Sequence, residues 1–161
     1  MKPKHSPWRR LERIEGLSAT HPQWRQVLGR SFDAFEPFLR PTSRRASAVP
    51  CSTPCDDACY RRVVEHSPND LVGVCIEGLP PVSLTPMDVL IYELDARKIG
   101  DALARALHIE PGIEPVGEVP LVWRLGVFAA TPANRIPVLL SLCSEPADLH
   151  DIAGSLLLRS C

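Results

Sequence analysis

Four cysteines between residues 51 and 75 are the side chains of this chain best suited to chemistry. Cys51, Cys55 and Cys59 occur at every fourth position, and Cys75 follows after a predicted β-hairpin. Thiolate sulfur is the ligand that structural zinc and iron–sulfur clusters prefer, and zinc ligands are often two to four residues apart. The spacing therefore predicts one metal site built from these four thiolates, although two separate C-x-x-C pairs are the commoner signature.

The local sequence suggests how the cysteines are positioned. A helical turn beginning near residue 55 would place Cys55 and Cys59 on one face, while Cys51 would approach from a proline-containing loop. Two alternatives compete with a metal site: Cys75, in the apolar run LVGVCI, could be a small buried hydrophobe, or the thiols could form disulfides. The N-terminus has no apolar stretch typical of a secretory signal. We therefore expect a reducing, cytoplasmic location, which disfavours disulfides.

The metal itself is less well defined by the sequence. A shell of four thiolates suits Zn²⁺ and also a [4Fe–4S] cluster, and the cluster would imply redox or gas sensing. Closely spaced ligands are typical of small structural zinc sites, so zinc is favoured. His66, between Cys59 and Cys75, could replace one cysteine, but a lone histidine here is better explained as a solvated strand end.

Sequence signatures of catalysis are absent from the chain. It contains no G-x-G-x-x-G, G-x-x-x-x-G-K-S/T, H-E-x-x-H or G-x-S-x-G motif. His150 beside Asp151 is a pairing of the kind that chance supplies, and no His-x-Glu precedes the group of four cysteines, as it would in the signature of a deaminase. We therefore expect a protein without enzymatic activity. No apolar run is long enough to predict a membrane-spanning helix.

Charge is distributed unevenly along the 161 residues. Residues 1–49 hold ten Lys/Arg and four Asp/Glu, a balance of +6, and the other residues hold 8 and 15, a balance of −7, which together give the net charge of −1. A basic segment on an acidic body can bind nucleic acid or an acidic protein surface, and it can also be an ordinary solvated face. The basic residues predicted to contact nucleic acid or a partner are Arg44, Arg45, Arg61 and Arg62.

The N-terminal segment is predicted to be a helical arm. Thr20, followed by Pro22, is a helix start, and the apolar positions from residue 24 to residue 39 repeat with the period of an α-helix. The stripe contains Trp24, Phe32 and Phe35, which would either pack on the chain's own domain or form an interface with a partner or a second copy. Residues 41–49 are polar and basic and predict a flexible linker. The predicted domains are accordingly 1–49, the arm and linker, and 50–161.

The sequence of residues 50–161 predicts a small α+β domain that is cross-linked by the metal and contains two β-hairpins and three to four helices. The hairpins are RRVVEH with LVGVCI, and VPLVWRLGVFA with IPVLLSLC, whose near-continuous apolar character predicts burial on both faces. Helices are predicted from Thr85 through MDVLIY, from Asp95 to Leu107, and after Ser144. The seventeen prolines predict that the elements are short.

These features together predict a non-enzymatic zinc-binding adaptor or binding module. Its expected partner is nucleic acid or a nucleic-acid-handling assembly. One alternative is a [4Fe–4S] regulatory or redox-sensing protein, and another is a protein-interaction subunit that uses the 24–39 helix face, including a homo-oligomer.

Overall fold

A computed structural model describes residues 7–51, 59–117, 121–131, 134–143 and 146–158. It is a mixture of six α-helical segments and three antiparallel sheets within those residues, which confirms the predicted α+β class. The chain divides into two compact units, Met1–Leu94 and Asp95–Cys161. No helix in the described ranges is long and apolar enough to cross a membrane.

The first unit begins with short helices and strands. In chain order it contains α1 (Pro7–Leu11), β1 (Ser18–Thr20), α2 (His21–Leu28), α3 (Phe32–Phe35), β2 (Leu39–Arg45), β3 (Ala48–Pro50), β4 (Tyr60–Ser67), β5 (Asp70–Cys75), β6 (Val82–Leu84), α4 (Pro86–Val89) and β7 (Leu90–Leu94). Short 3₁₀ turns precede β1 and flank α3. The proline-rich sequence thus gives short elements, as predicted.

Helix α2 starts where the sequence predicts but ends early. The backbone N–H of Thr20 donates to Gln23 Oε1 at 2.9 Å, and the N–H of Gln23 donates to Thr20 Oγ1 at 3.4 Å, which forms a capping box. Gly29 ends the helix with φ of +54°, a conformation that glycine adopts without steric cost. The long helix predicted up to residue 39 is therefore wrong, because the chain breaks at Gly29 into separate short turns.

Two antiparallel sheets form the body of the first unit. One has the order β1-β7-β2, and the other has the order β3-β4-β5-β6. The predicted linker at 41–49 is wrong, since Leu39–Arg45 pairs with β7 and Ala48–Pro50 pairs with β4. The predicted helix through MDVLIY is also too long: α4 ends at Val89, and the β-prone residues that follow become the central strand of the first sheet.

The aromatic stripe of the N-terminal segment packs inside the first unit. Trp24 has 0% and Phe32 has 1% of its surface exposed, and Trp24 Nε1 donates to the carbonyl of Tyr92 at 3.0 Å. Phe35 is half-buried, with its ring 6.3 Å from that of Phe38. Trp24 and Phe32 are therefore core residues of their own unit, and neither presents the exposed face that the predicted partner or self-association interface requires.

The second unit contains α5 (Ala96–Ala106), β8 (Glu110–Pro115), β9 (Val122–Thr131), β10 (Asn134–Ser141) and α6 (Pro146–Leu158), with the sheet order β10-β9-β8. Asp95 caps α5 by accepting from two backbone N–H groups, at 3.0 and 3.1 Å. Ile99 is buried, whereas Leu107 is exposed. The burial predicted for both faces of the β9–β10 pair is wrong, because Phe128 and Ile136 are 44% and 46% exposed.

Phe32→Ala should destabilise the first unit by about 3 to 5 kcal/mol, since it removes a fully buried aromatic side chain from a packed core. Denaturant unfolding measures this loss, and light scattering should show an unchanged molar mass. Phe35→Ala is the matched control. Because Phe35 is half-buried, its truncation should lower the free energy of unfolding by less than half as much as Phe32→Ala does. A smaller oligomer on Phe32→Ala, without loss of stability, would restore the interface interpretation.

Candidate metal centre

Three of the four predicted ligands lie at one end of the β3-β4-β5-β6 sheet. Cys51 directly follows β3, Cys59 directly precedes β4, and Cys75 is the last residue of β5. The backbone N–H of Cys51 donates to the carbonyl of Cys59 at 3.0 Å, so the antiparallel pairing of β3 with β4 extends to the two cysteines. Three neighbouring strands therefore bring their cysteines to the same place.

The alternation of side chains along the strands puts the three thiols on one face. Val49, Arg61 and Cys75 are register partners across β3, β4 and β5. Cys51 is two residues after Val49, and Cys59 is two residues before Arg61. Because residues two apart share a face of a strand, all five side chains point to the same side. That side faces the interior: Val49, Arg61 and Cys75 are 3%, 4% and 5% exposed.

Each of the three sulfur atoms lies within contact distance of the other two. Cys51 Sγ lies 3.2 Å from Cys59 Sγ and 3.7 Å from Cys75 Sγ, and Cys59 Sγ lies 3.4 Å from Cys75 Sγ. These separations are all well above the bond length of about 2.05 Å in a disulfide, so the three sulfurs form no disulfide with one another. Three cysteines this close could hold a metal ion.

The environment of Cys75 favours its thiolate form. Burial raises the pKa of this thiol. Hydrogen bonds from the backbone of Glu77 and Leu79 and from the Cys59 and Cys51 side chains together lower it by a larger amount, so the pKa falls from 9.0 to about 7. The loop that supplies the two backbone donors turns at Gly78, whose φ is +79°. Donors that stabilise a thiolate also favour metal binding, because the metal ligand is the deprotonated form.

The other two candidate ligands have different outcomes. Cys55 lies outside the described residues, so its part in the site stays a prediction. His66 is an exposed residue near the far end of β4. A strand rises by about 3.3 Å per residue, so His66 is roughly 20 Å along the strand from the cysteines. The alternative in which His66 replaces a cysteine is therefore wrong for this group of three thiols.

Basic residues predicted to contact nucleic acid or a partner are dispersed by the fold. Arg44 and Arg45 form ion pairs with Glu93 at 2.6 Å and with Glu65 at 3.1 Å. Arg61 is buried on the cysteine face, whereas Arg62, its neighbour in β4, is exposed on the opposite face. Of the four arginines, Arg62 is the one that is exposed and in no ion pair among the described residues.

Sequence reasoning missed the distinct position of Arg61. The sequence predicts the same role, contact with nucleic acid or a partner, for Arg61 and Arg62. A signal for the difference exists in the sequence: counting by twos from Cys59 places Arg61 on the cysteine side of β4 and Arg62 on the other side. That count becomes useful only when the strand is known to start at Tyr60.

No protein-family model, curated protein or solved structure matches this chain. The three sulfurs come from three strands, two of the cysteines are buried, and Cys59 is half-buried. Such an arrangement can cross-link the strands through one ion.

Proposed function

We propose that the chain is a non-enzymatic binding module whose first unit is held together by a structural zinc ion at Cys51, Cys59 and Cys75, with Cys55 as the fourth ligand. The observation that carries this proposal is the mutual distance of the three sulfurs, 3.2 to 3.7 Å. In a tetrahedral site with zinc–sulfur bonds of about 2.3 Å, the sulfurs are about 3.8 Å apart. Only small outward movements are needed to admit the ion.

The same distances favour a single ion over a [4Fe–4S] cluster. A cubane cluster attaches each cysteine to a different iron atom, so its ligands must surround the whole cluster. Three sulfurs in mutual contact leave no space for a [4Fe–4S] cluster between them unless the strand ends separate. A mononuclear centre therefore agrees better with the register of β3, β4 and β5.

A structural role agrees with the position of the site. The ion would connect the ends of three adjacent strands, next to a small core of buried apolar residues made by Val49, Leu71 and Val89. Four thiolates would complete the coordination shell and leave no position for a substrate or an activated water. Because the ligands come together only in the folded sheet, the free energy of metal binding contributes directly to folding.

The metal proposal is tested by the metal content of the purified chain. Element analysis should find one zinc per wild-type chain and no stoichiometric iron. Serine substitution at Cys51, Cys59 or Cys75 should lower the zinc content and the melting temperature together, because each removes one thiolate ligand and metal binding is linked to folding.

Cys143→Ser provides the matched control, since Cys143 lies in the other unit and outside the group of three. It should retain the full zinc content. Stoichiometric iron with visible absorbance would favour the [4Fe–4S] alternative. A metal-free wild-type chain that melts at the same temperature with and without added zinc would overturn both.

The nature of the partner is a separate part of the proposal, and single-stranded nucleic acid is the candidate we favour. Tyr60 and Arg62 are two residues apart on the outer face of β4, at the same end as the cysteines. Tyr60 is 46% exposed, and Arg62 is exposed. An accessible aromatic ring beside a guanidinium suits base stacking combined with phosphate contact. The supporting surface is smaller than the sequence predicts, because Arg44, Arg45 and Arg61 are paired or buried.

Arg62→Ala should weaken binding to a single-stranded oligonucleotide and reduce the slope of log affinity against log salt by about one, because one phosphate contact is lost. Tyr60→Ala should weaken binding with little change in the slope, since stacking releases no counterions. Fluorescence anisotropy over a range of salt concentrations measures both quantities.

Arg45→Ala serves as the control for Arg62→Ala, because the Arg45 guanidinium is paired with Glu65. It should change the slope less than Arg62→Ala does. If the wild-type chain binds neither DNA nor RNA at low salt, the partner is a protein.

A further inference from the structure

Arg61 is a buried cation in the sheet that carries the cysteines. It is 4% exposed and is the register partner of Cys75. Its Nη1 donates to the carbonyl of Pro80 at 2.7 Å and to that of Gly73 at 3.4 Å. Its Nε is buried without a hydrogen-bond partner. None of the ion pairs among the described residues involves this guanidinium.

The aliphatic part of Arg61 crosses the neighbouring strand at Gly73. A Cβ atom added to Gly73 would lie 3.3 Å from both Cβ and Cδ of Arg61, which is closer than ordinary van der Waals contact. The absence of a side chain at Gly73 thus leaves a path for the arginine. The guanidinium reaches the loop that follows Cys75, where it meets the carbonyl of Pro80.

That loop follows directly from Cys75. It joins β5, which ends at Cys75, to β6, which begins at Val82, and Pro80 lies within it. The hydrogen bond from Arg61 to the carbonyl of Pro80 therefore ties the segment behind Cys75 to β4. Groups that hold and orient a ligand in this way commonly change metal affinity by about 10- to 100-fold.

A buried guanidinium needs a negative partner, because an isolated charge in the protein interior is strongly disfavoured. A divalent ion held by three or four thiolates has one or two excess negative charges, which a nearby cation offsets. We propose that Arg61 is the positioning residue and charge partner of the thiolate metal centre, an inference that rests on the zinc site proposed above. It fixes the loop behind Cys75, and its charge balances the anionic centre.

The test compares Arg61→Met, Arg61→Lys and Arg62→Met with the wild-type chain. Zinc affinity is measured under reducing conditions by competition with a chromophoric chelator, after circular dichroism has shown that each zinc-loaded variant is folded. Arg61→Met should bind zinc about 10- to 100-fold more weakly, as for other residues that support metal ligands. Arg61→Lys keeps the positive charge but loses the planar guanidinium and its paired N–H donors. Its zinc affinity should therefore lie between those of Arg61→Met and the wild type.

Cobalt substitution gives a readout that a loss of packing would not produce. A positive charge and N–H donors lower the energy of the sulfur electrons, so removing Arg61 should move the thiolate-to-cobalt charge-transfer band to longer wavelength. Arg61→Lys should restore part of that shift. Arg62→Met, which removes an exposed charge from the adjacent position, should leave both the affinity and the band unchanged.

Several results would overturn the role of Arg61. Wild-type zinc affinity in a folded Arg61→Met chain would do so, as would an equal loss in Arg62→Met. If Arg61→Met does not fold, Arg61→Lys decides: unchanged affinity and an unchanged cobalt band contradict the proposal. A wild-type chain that binds no zinc is a different outcome, because it removes the metal site itself.

Discussion

Arg61 and Cys75 lie directly opposite each other in β4 and β5, and this antiparallel register determines which side chains meet at the end of the sheet. The pairing of Val49 with Arg61 extends the same row into β3. A slip of one residue between any two of these strands would turn a cysteine to the opposite face and separate the sulfurs. The proposed zinc ion and the register therefore stabilise each other: the strands bring the thiolates together, and the ion holds the strand ends in that alignment.

Short strands explain why such a cross-link is useful in the first unit. Strands β3 and β6 have three residues each, and the buried cluster beside this sheet contains Val49, Leu71 and Val89. A small apolar cluster provides limited hydrophobic stabilisation, and small domains commonly supplement it with a metal or with disulfides. Trp24, Leu28 and Phe32 are buried elsewhere in this unit. The cysteine end of the sheet is where the proposed zinc ion would add most stability, because it would join three strands there.

Local signals in the sequence predicted local structure. Thr20 and Asp95 mark helix starts because a side-chain oxygen next to the free N–H groups of a first turn stabilises it whatever the rest of the chain does. The cysteine spacing likewise indicated a group of thiols, and three of the four meet in the structure. Residues 41–49 and 90–94 were misjudged because their strands form only by pairing with distant segments, which a local pattern does not reveal.

Charge interactions between distant segments limited the prediction of function in the same way. Arg44 and Arg45 resemble an accessible basic patch in the sequence, yet Glu93 and Glu65 reach them from other strands. Arg61 and Arg62 are adjacent in the sequence but occupy opposite faces, so Arg61 is buried on the cysteine side of the sheet and Arg62 is exposed to solvent. Charge counting along the chain therefore overestimates the surface available to a polyanion.

X-ray absorption at the zinc edge tests the central claim most directly, because it reports the ligand atoms of the metal in the purified, folded chain. The account predicts a shell of sulfur atoms at about 2.3 Å, with four sulfurs if Cys55 completes the site. The Cys75→Ser chain should lose one sulfur from that shell or lose the metal. A shell of nitrogen and oxygen atoms at about 2.0 to 2.1 Å would contradict the thiolate centre.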